Sequence, residues 1–273
     1  MPDIIYYQLG IQGLEQLAIA TRSVLRHEPN MNIVLYTDQN DTTVAKSGSV
    51  VHDLREWQDP TKNRDQATYG SDAFGIIMHE KIKVVLDAIN RCDSWLIYSD
   101  VDIVVCHPFS AEFSHALQNH PLMISSEGDR LNPVNFCLGL FAARPTAEST
   151  KILEAWKSFH AERLKKDHSY HDQLAFNDFH AEQNHDFSLL KTIPQGYAMP
   201  GWMFPLLAPI KITRVNPRFF HCNWVVGHKK KVQRMRAVER SLLIQNRWLN
   251  FIPRLFRHSW YTIQQFRPSF WKW

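Results

Sequence analysis

Trp95-Leu96-Ile97-Tyr98-Ser99-Asp100-Val101-Asp102 decides the reading of this chain. Residues 95–98 form a short apolar run, the mark of a buried strand. Two carboxylates at i and i+2 follow it at once, at the sheet edge where open α/β folds bind ligands. An extended backbone sends i and i+2 to one face, so Asp100 and Asp102 are expected to reach one cation. Carboxylate oxygens suit Mg²⁺ or Mn²⁺, and either ion can bridge a diphosphate. Two unpaired acids beside apolar residues would repel and desolvate each other, so a cation is their natural partner. Asp-x-Asp alone is common, and elsewhere the pair would read as ordinary loop acids; its place after a buried strand gives it weight.

Outward from that stretch, residues 4–9 and 32–37 read as apolar strands, the second closed by Asp38, and 50–54 as a third. Leu14, Leu17, Ala18, Val24 and Leu25 recur at helical spacing, as do Ile76, Ile77, Ile82, Val85, Leu86 and Ile89 within 73–90. Strand–helix–strand alternation from the first residues predicts an α/β fold with a mostly parallel, doubly wound sheet. Residues 122–125 and 136–143 read as further strands, 146–164 as a helix started by Thr146, and 172–179 as a short helix. Residues 58–72 read as a loop, and the Pro-rich stretch 191–220 as irregular.

With 273 residues, 44% hydrophobic and 21% charged, the chain can bury a sizeable core and is not expected to be disordered. Its net charge of +4 is unevenly placed. His228-Lys229-Lys230-Lys231, Arg234, Arg236 and Arg240 form a basic run, and from Ser241 onward there is no Asp or Glu. The tail 241–273 mixes arginines 247, 254, 257 and 267 with Trp248, Phe251, Trp260, Tyr261, Trp271 and Trp273. It is too polar to cross a bilayer, but its composition suits an anionic membrane interface. Packing on the main domain as a C-terminal helix is the plainer use. No nucleic-acid motif accompanies it. Cys92, Cys106, Cys137 and Cys222 show no zinc-type spacing and read as free thiols. Met1-Pro2-Asp3 lacks the basic start and apolar run of a signal peptide, so a cytoplasmic protein peripherally held at the membrane is expected.

Tyr98-Ser99-Asp100-Val101-Asp102 resembles the Asp-x-Asp motif of GT-A glycosyltransferases, and three further segments match in order. Lys81 sits upstream where that family places a basic residue near the donor. His171-Asp172-Gln173-Leu174-Ala175-Phe176-Asn177 resembles its Asp-Gln…Phe-Asn segment. His221-Cys222-Asn223-Trp224-Val225-Val226-Gly227, followed by Lys229 and Lys230, resembles its late His…Gly…Lys segment. Over roughly residues 4–231 the chain is similar to the nucleotide-diphospho-sugar transferases, and within them to the bacterial lipooligosaccharide galactosyltransferases. One position departs: Cys137 stands where relatives often carry Asn, two residues before Gly139.

The resemblance implies a GT-A catalytic domain over 1–240. It implies a metal-dependent glycosyltransferase that takes a nucleotide sugar, expected to be a UDP-sugar, and a glycan acceptor, lipid-linked if the tail meets a membrane. Retention of configuration is expected. Asp100, Asp102 and His221 would be the metal ligands, with Asp100 also near the donor sugar. Lys229 or Lys230, after Gly227, would meet the diphosphate. Tyr7 and Asp38, at the ends of the first two strands, would cradle the base and ribose. Asp172 would orient the sugar and Gln173 would stabilise an oxocarbenium-like centre. Two alternatives stand beside this reading. One is a sugar nucleotidyltransferase, although 9–14 lacks the basic loop such enzymes carry. The other is a non-catalytic membrane-surface protein of the same fold.

Overall fold

β1 (Asp3–Gln8) is buried along all but its first residue. Successive side chains alternate, so Ile4 and Tyr6 enter one apolar core while Ile5 and Tyr7 enter another. A strand buried on both faces needs a cover on both sides of its sheet. The computed structural model describes residues 2–39, 50–54, 70–127, 135–182, 190–193, 197–201, 217–223, 225 and 227–243. After β1 come α1 (Leu14–His27), β2 (Asn32–Thr37), β3 (Val50–Asp53), α2 (Asp72–Arg91), β4 (Leu96–Ser99), β5 (Ile103–Val105) and α3 (Ser110–Leu117). Next are β6 (Leu122–Ser126), β7 (Phe136–Ala143), α4 (Ala147–Leu164), α5 (Asp172–Glu182), β8 (Leu190–Ile193), β9 (Ala198–Met199), β10 (Phe219–His221) and α6 (His228–Leu243).

The main sheet has the order β3-β2-β1-β4-β7-β6-β8. It is mostly parallel, as expected, with β7 antiparallel to both neighbours. One face is covered by α1, α3 and α6, the other by α2, α4 and α5. A second small sheet, β5-β10-β9, stands beside it. The helix starts are chemically marked. Ser71 Oγ accepts Phe74 N at 3.2 Å, and Thr146 forms a reciprocal cap with Ser149.

One expectation, that 191–220 is irregular, needs correction. The stretch 191–220 contains β9 and most of β8 and β10, strands of two to four residues, too short to show a period. Residues 110–117 form a helix that the sequence reading passed over. The basic run is itself the helix α6: Val232, Met235 and Val238 at i, i+3 and i+6 are buried, and Lys229, Lys230, Arg236 and Arg240 are exposed. Buried Glu239 ties α6 to α1 by accepting Arg22 Nη2 at 2.8 Å. The division at 240/241 therefore falls inside a helix. The tail from 244 onward lies outside the described residues, as do residues 58–69 of the expected loop.

α2 and α4 meet through His79 and His160, whose Nδ1 atoms lie 3.1 Å apart. His160 Nε2 lies 2.9 Å from Tyr170 O, which can only accept, so its proton sits on Nε2 and its Nδ1 accepts from His79. Burial, then His160, Lys83 and Lys157, push the His79 pKa down to about 4. Unfolded, it titrates at about 6.5. A depressed folded value means the stability is fully present above the unfolded pKa and is lost as pH falls through the folded one. His79 is only half-buried, so the effect is discounted for solvent. Melting curves are expected to drop by a few degrees between pH 6.5 and 4, and His79→Gln to flatten that slope.

Candidate active site

β4 stops at Ser99, and Asp100-Val101-Asp102 turns the chain into β5. Asp100 N donates to Gly139 O at 2.7 Å and Ile103 N to Asp100 O at 3.2 Å. The pleat of one strand is therefore not what brings the two acids together; a turn does, in concert with the small sheet. The antiparallel pairing of β5 with β10 sets His221 opposite Ile103, and Cys222 N donates to Asp102 O at 2.9 Å. That ladder delivers His221 to the turn. Its Nε2 lies 3.1 Å from Asp102 Oδ1 and 3.8 Å from Asp100 Oδ2. One ligand atom from each of Asp100, Asp102 and His221 lies within 4.8 Å of the others.

These residues fit a hard divalent cation. Asp102 is buried, and its Oδ1 has the His221 imidazole 3.1 Å away. Neighbouring oxygen or nitrogen ligands of an octahedral ion, each about 2.1 Å from it, stand about 3 Å apart. Gly139 lets the imidazole and the carboxylate approach the strand closely: a Cβ there would meet His221 Cε1 at 2.4 Å and Asp100 Oδ2 at 2.7 Å. Gly139→Ala is accordingly expected to lower transfer activity by about 100-fold by displacing ligands. Overpacking would cost stability by about 1–3 kcal/mol, read as a lower melting temperature.

Cations flank the acids. Lys81, buried in α2, places Nζ 2.7 Å from Asp172 Oδ2 and 3.3 Å from Asp100 Oδ1. Tyr98 Oη donates to Asp100 Oδ1 at 2.9 Å. Burial opposes charge on Lys81, but Asp100 and Asp172 outweigh it and hold its pKa above the ordinary value. Burial would raise Asp172, but Lys81 holds it below the usual carboxylate range. Lys231, in the first turn of α6, places Nζ 2.6 Å from Asp102 Oδ2. Burial likewise opposes the charge on Asp102, yet Lys231 and His221 hold it well below the usual range. Against burial, Asp102 raises His221 well above its ordinary value.

The other residues read from sequence are placed as follows. Asp172 opens α5, buried against Lys81, while Gln173 borders an open cleft of about 430 Å³ with Asn135, His171, Leu174 and Asn177. Asn177 latches α5 to β7: its Oδ1 accepts Phe136 N at 2.8 Å and its Nδ2 donates to Phe136 O at 3.0 Å. Tyr7 is 7% exposed in the core shared with α2, β2 and β4. Asp38 Oδ1 accepts Gly10 N at 3.0 Å, which fixes the β1–α1 loop where Gly10 has φ 68°. Gly227, at φ 95°, opens α6 and accepts Lys231 N at 3.1 Å. Lys229 and Lys230 are exposed, and the lysine of this run that meets Asp102 is Lys231.

A family model described as nucleotide-diphospho-sugar transferase matches residues 32–235. The chain belongs to that family. As a nucleotide-diphospho-sugar transferase it is a glycosyltransferase, and membership sets aside the nucleotidyltransferase and non-catalytic alternatives. No curated protein sequence matches it significantly. Solved structures share its α/β architecture, which is of the GT-A type. The galactosyltransferase LgtC, in complex with donor and acceptor sugar analogues, aligns at TM-score 0.56 and 15% identity over 88% of this chain and 95% of LgtC. A glycosyltransferase involved in glycosylation of the major capsid of PBCV-1 aligns at 0.57 and 9%, over 86% and 98% of the two chains. Mouse xyloside xylosyltransferase 1 aligns at 0.54 and 13%, over 82% and 98%. Two residues that this transferase brings to its acidic cluster escaped the sequence reading. Gly139 was signalled by a glycine inside an apolar strand. Lys231 was signalled only by the helical register of the residues after it.

Proposed function

We propose that the protein transfers a sugar from a UDP-sugar to a glycan acceptor, with retention of configuration and with Mn²⁺ or Mg²⁺ held by Asp100, Asp102 and His221. The observation that carries this reading is the convergence of Asp100, buried Asp102 and His221 Nε2 on one point at the carboxyl end of β4. A divalent cation bound there would neutralise the diphosphate as it leaves. Lys231, 2.6 Å from Asp102 Oδ2, is assigned a share of that charge. Lys81 keeps Asp100 in place and Asp172 ionised, so Asp172 acts on the donor sugar through a fixed, buried ion pair. Gln173 borders the open cleft and is assigned the oxocarbenium-like centre. Tyr7 and Asp38, at the ends of β1 and β2, are assigned to the nucleotide.

The exposed Lys229, Lys230, Arg236 and Arg240 of α6 lead into the basic, aromatic tail, which supports a lipid-linked acceptor at an anionic membrane surface on the cytoplasmic side. Among the described residues no helix is long and apolar enough to cross a membrane. Product analysis with UDP-, GDP- and CDP-sugars tests the transferase reading. Release of UDP together with a glycoside of unchanged anomeric configuration is expected; inverted product, or release of pyrophosphate, would overturn it. Flotation with anionic liposomes of the full chain, and of one ending at Leu243, tests the tail: equal flotation would remove its membrane role.

A further inference from the structure

His221 offers two ring nitrogens, and the acidic cluster uses one. On the opposite edge of the ring, Nδ1 lies 3.5 Å from Cys137 Sγ. Cys137 is 3% exposed on β7, and Glu127 follows β6 directly. One ligand atom from each of Glu127, Cys137 and His221 lies within 4.8 Å of the others. Ser125, Ser126, Glu127, Cys137 and His221 help to line a cavity of about 10 Å³, space for one water or one ion. Asn223 anchors the acid: its Nδ2 donates to Glu127 Oε1 and its Oδ1 accepts Gly201 N at 2.7 Å.

We propose that Glu127, Cys137 and His221 Nδ1 form a second cation site, which shares the His221 ring with the acidic cluster and is selective for Zn²⁺ over Mg²⁺ and Mn²⁺. Thiolate, imidazole and carboxylate are the donor set of a zinc ion with three protein ligands and one open position. Hard cations bind sulfur poorly, which gives the selectivity. Binding breaks the Cys137 S–H bond and forms an S–Zn bond, and the thiol proton and any proton displaced from His221 Nδ1 go to solvent. With Nδ1 on zinc, the neutral imidazole carries its proton on Nε2, 3.1 Å from Asp102 Oδ1. That is a carboxylate–histidine–zinc arrangement. It removes the Nε2 lone pair from the acidic cluster, so Zn²⁺ is expected to inhibit transfer. This consequence rests on the proposed function; the zinc site does not.

The test is titration of the full-length, metal-free protein with Co²⁺ as a spectroscopic stand-in, followed by Zn²⁺. Wild type is expected to show a thiolate-to-cobalt charge-transfer band, bleached by one equivalent of Zn²⁺. Cys137→Ser should abolish the band and weaken Zn²⁺ by more than about 100-fold, and Glu127→Gln should keep the band with affinity reduced by about 10-fold. Asp102→Asn should keep it too. Absence of the band in wild type, its survival in Cys137→Ser or its loss in Asp102→Asn would overturn the site. A normal band with transfer unaffected by saturating Zn²⁺ would overturn the coupling alone.

Discussion

Asp102→Asn is expected to abolish metal-dependent nucleotide binding and to lower sugar transfer by about 1,000-fold or more, the scale of losing a principal electrostatic contact to a developing charge. Asn keeps the size of the side chain and removes its charge. Lys231 and His221 outweigh its burial and hold the carboxylate well below the usual range. Its backbone stays fixed by Cys222 N donating to Asp102 O at 2.9 Å, so the turn persists without the charge. The variant should therefore keep its circular dichroism while losing function. An equally active variant would show that Asp102 holds no ion during turnover.

Lys81→Met is the second large effect, and it falls on stability as well as activity. Lys81 is 2% exposed and Asp172 4%, with 2.7 Å between Nζ and Oδ2. Removing one partner of a buried pair leaves an uncompensated charge, at a cost of about 3–5 kcal/mol. For a chain of this size that is a fall of about 10 °C in Tm. The double variant Lys81→Met, Asp172→Asn removes both charges and should recover most of the stability. Activity should not recover, because Asp100 has still lost the cation 3.3 Å from its Oδ1. The pH signs follow from the shifts. The raised Lys81 contributes stability that is present below its unfolded pKa and lost as pH rises through the folded value. The depressed Asp172 contributes stability that is present above its unfolded pKa and lost as pH falls through the folded value. The pair thus stabilises the whole neutral range, and the double variant should be less sensitive at both extremes. Thermal melts across pH measure this; a wild-type melting temperature for Lys81→Met would contradict the buried pair.

The sheet was legible in the sequence because β1, β2 and β4 are short apolar runs separated by helices of clear 3.6 period, as Ile82, Val85, Leu86 and Ile89 show. The small sheet was not, because β9 and β10 hold two and three residues and owe their place to pairing with β5. In the site, Asp100, Asp102, Asp172 and His221 were named from motifs; Asp100, Asp102 and His221 converge, and Lys81 links Asp100 to Asp172. What the motifs could not give is orientation. Lys231 rather than Lys229 or Lys230 reaches Asp102 because α6 turns its Val232–Met235–Val238 stripe into the core, a register set by packing against α1. Gly139 and Cys137 matter through contacts across strands that no local spacing encodes.

Calorimetric titration of UDP into the wild-type protein and into Asp102→Asn, each with and without Mn²⁺, tests the central claim most directly. UDP is expected to bind wild type only with Mn²⁺ and not to bind the variant. UDP binding of equal strength with and without Mn²⁺, or unchanged in Asp102→Asn, would contradict it.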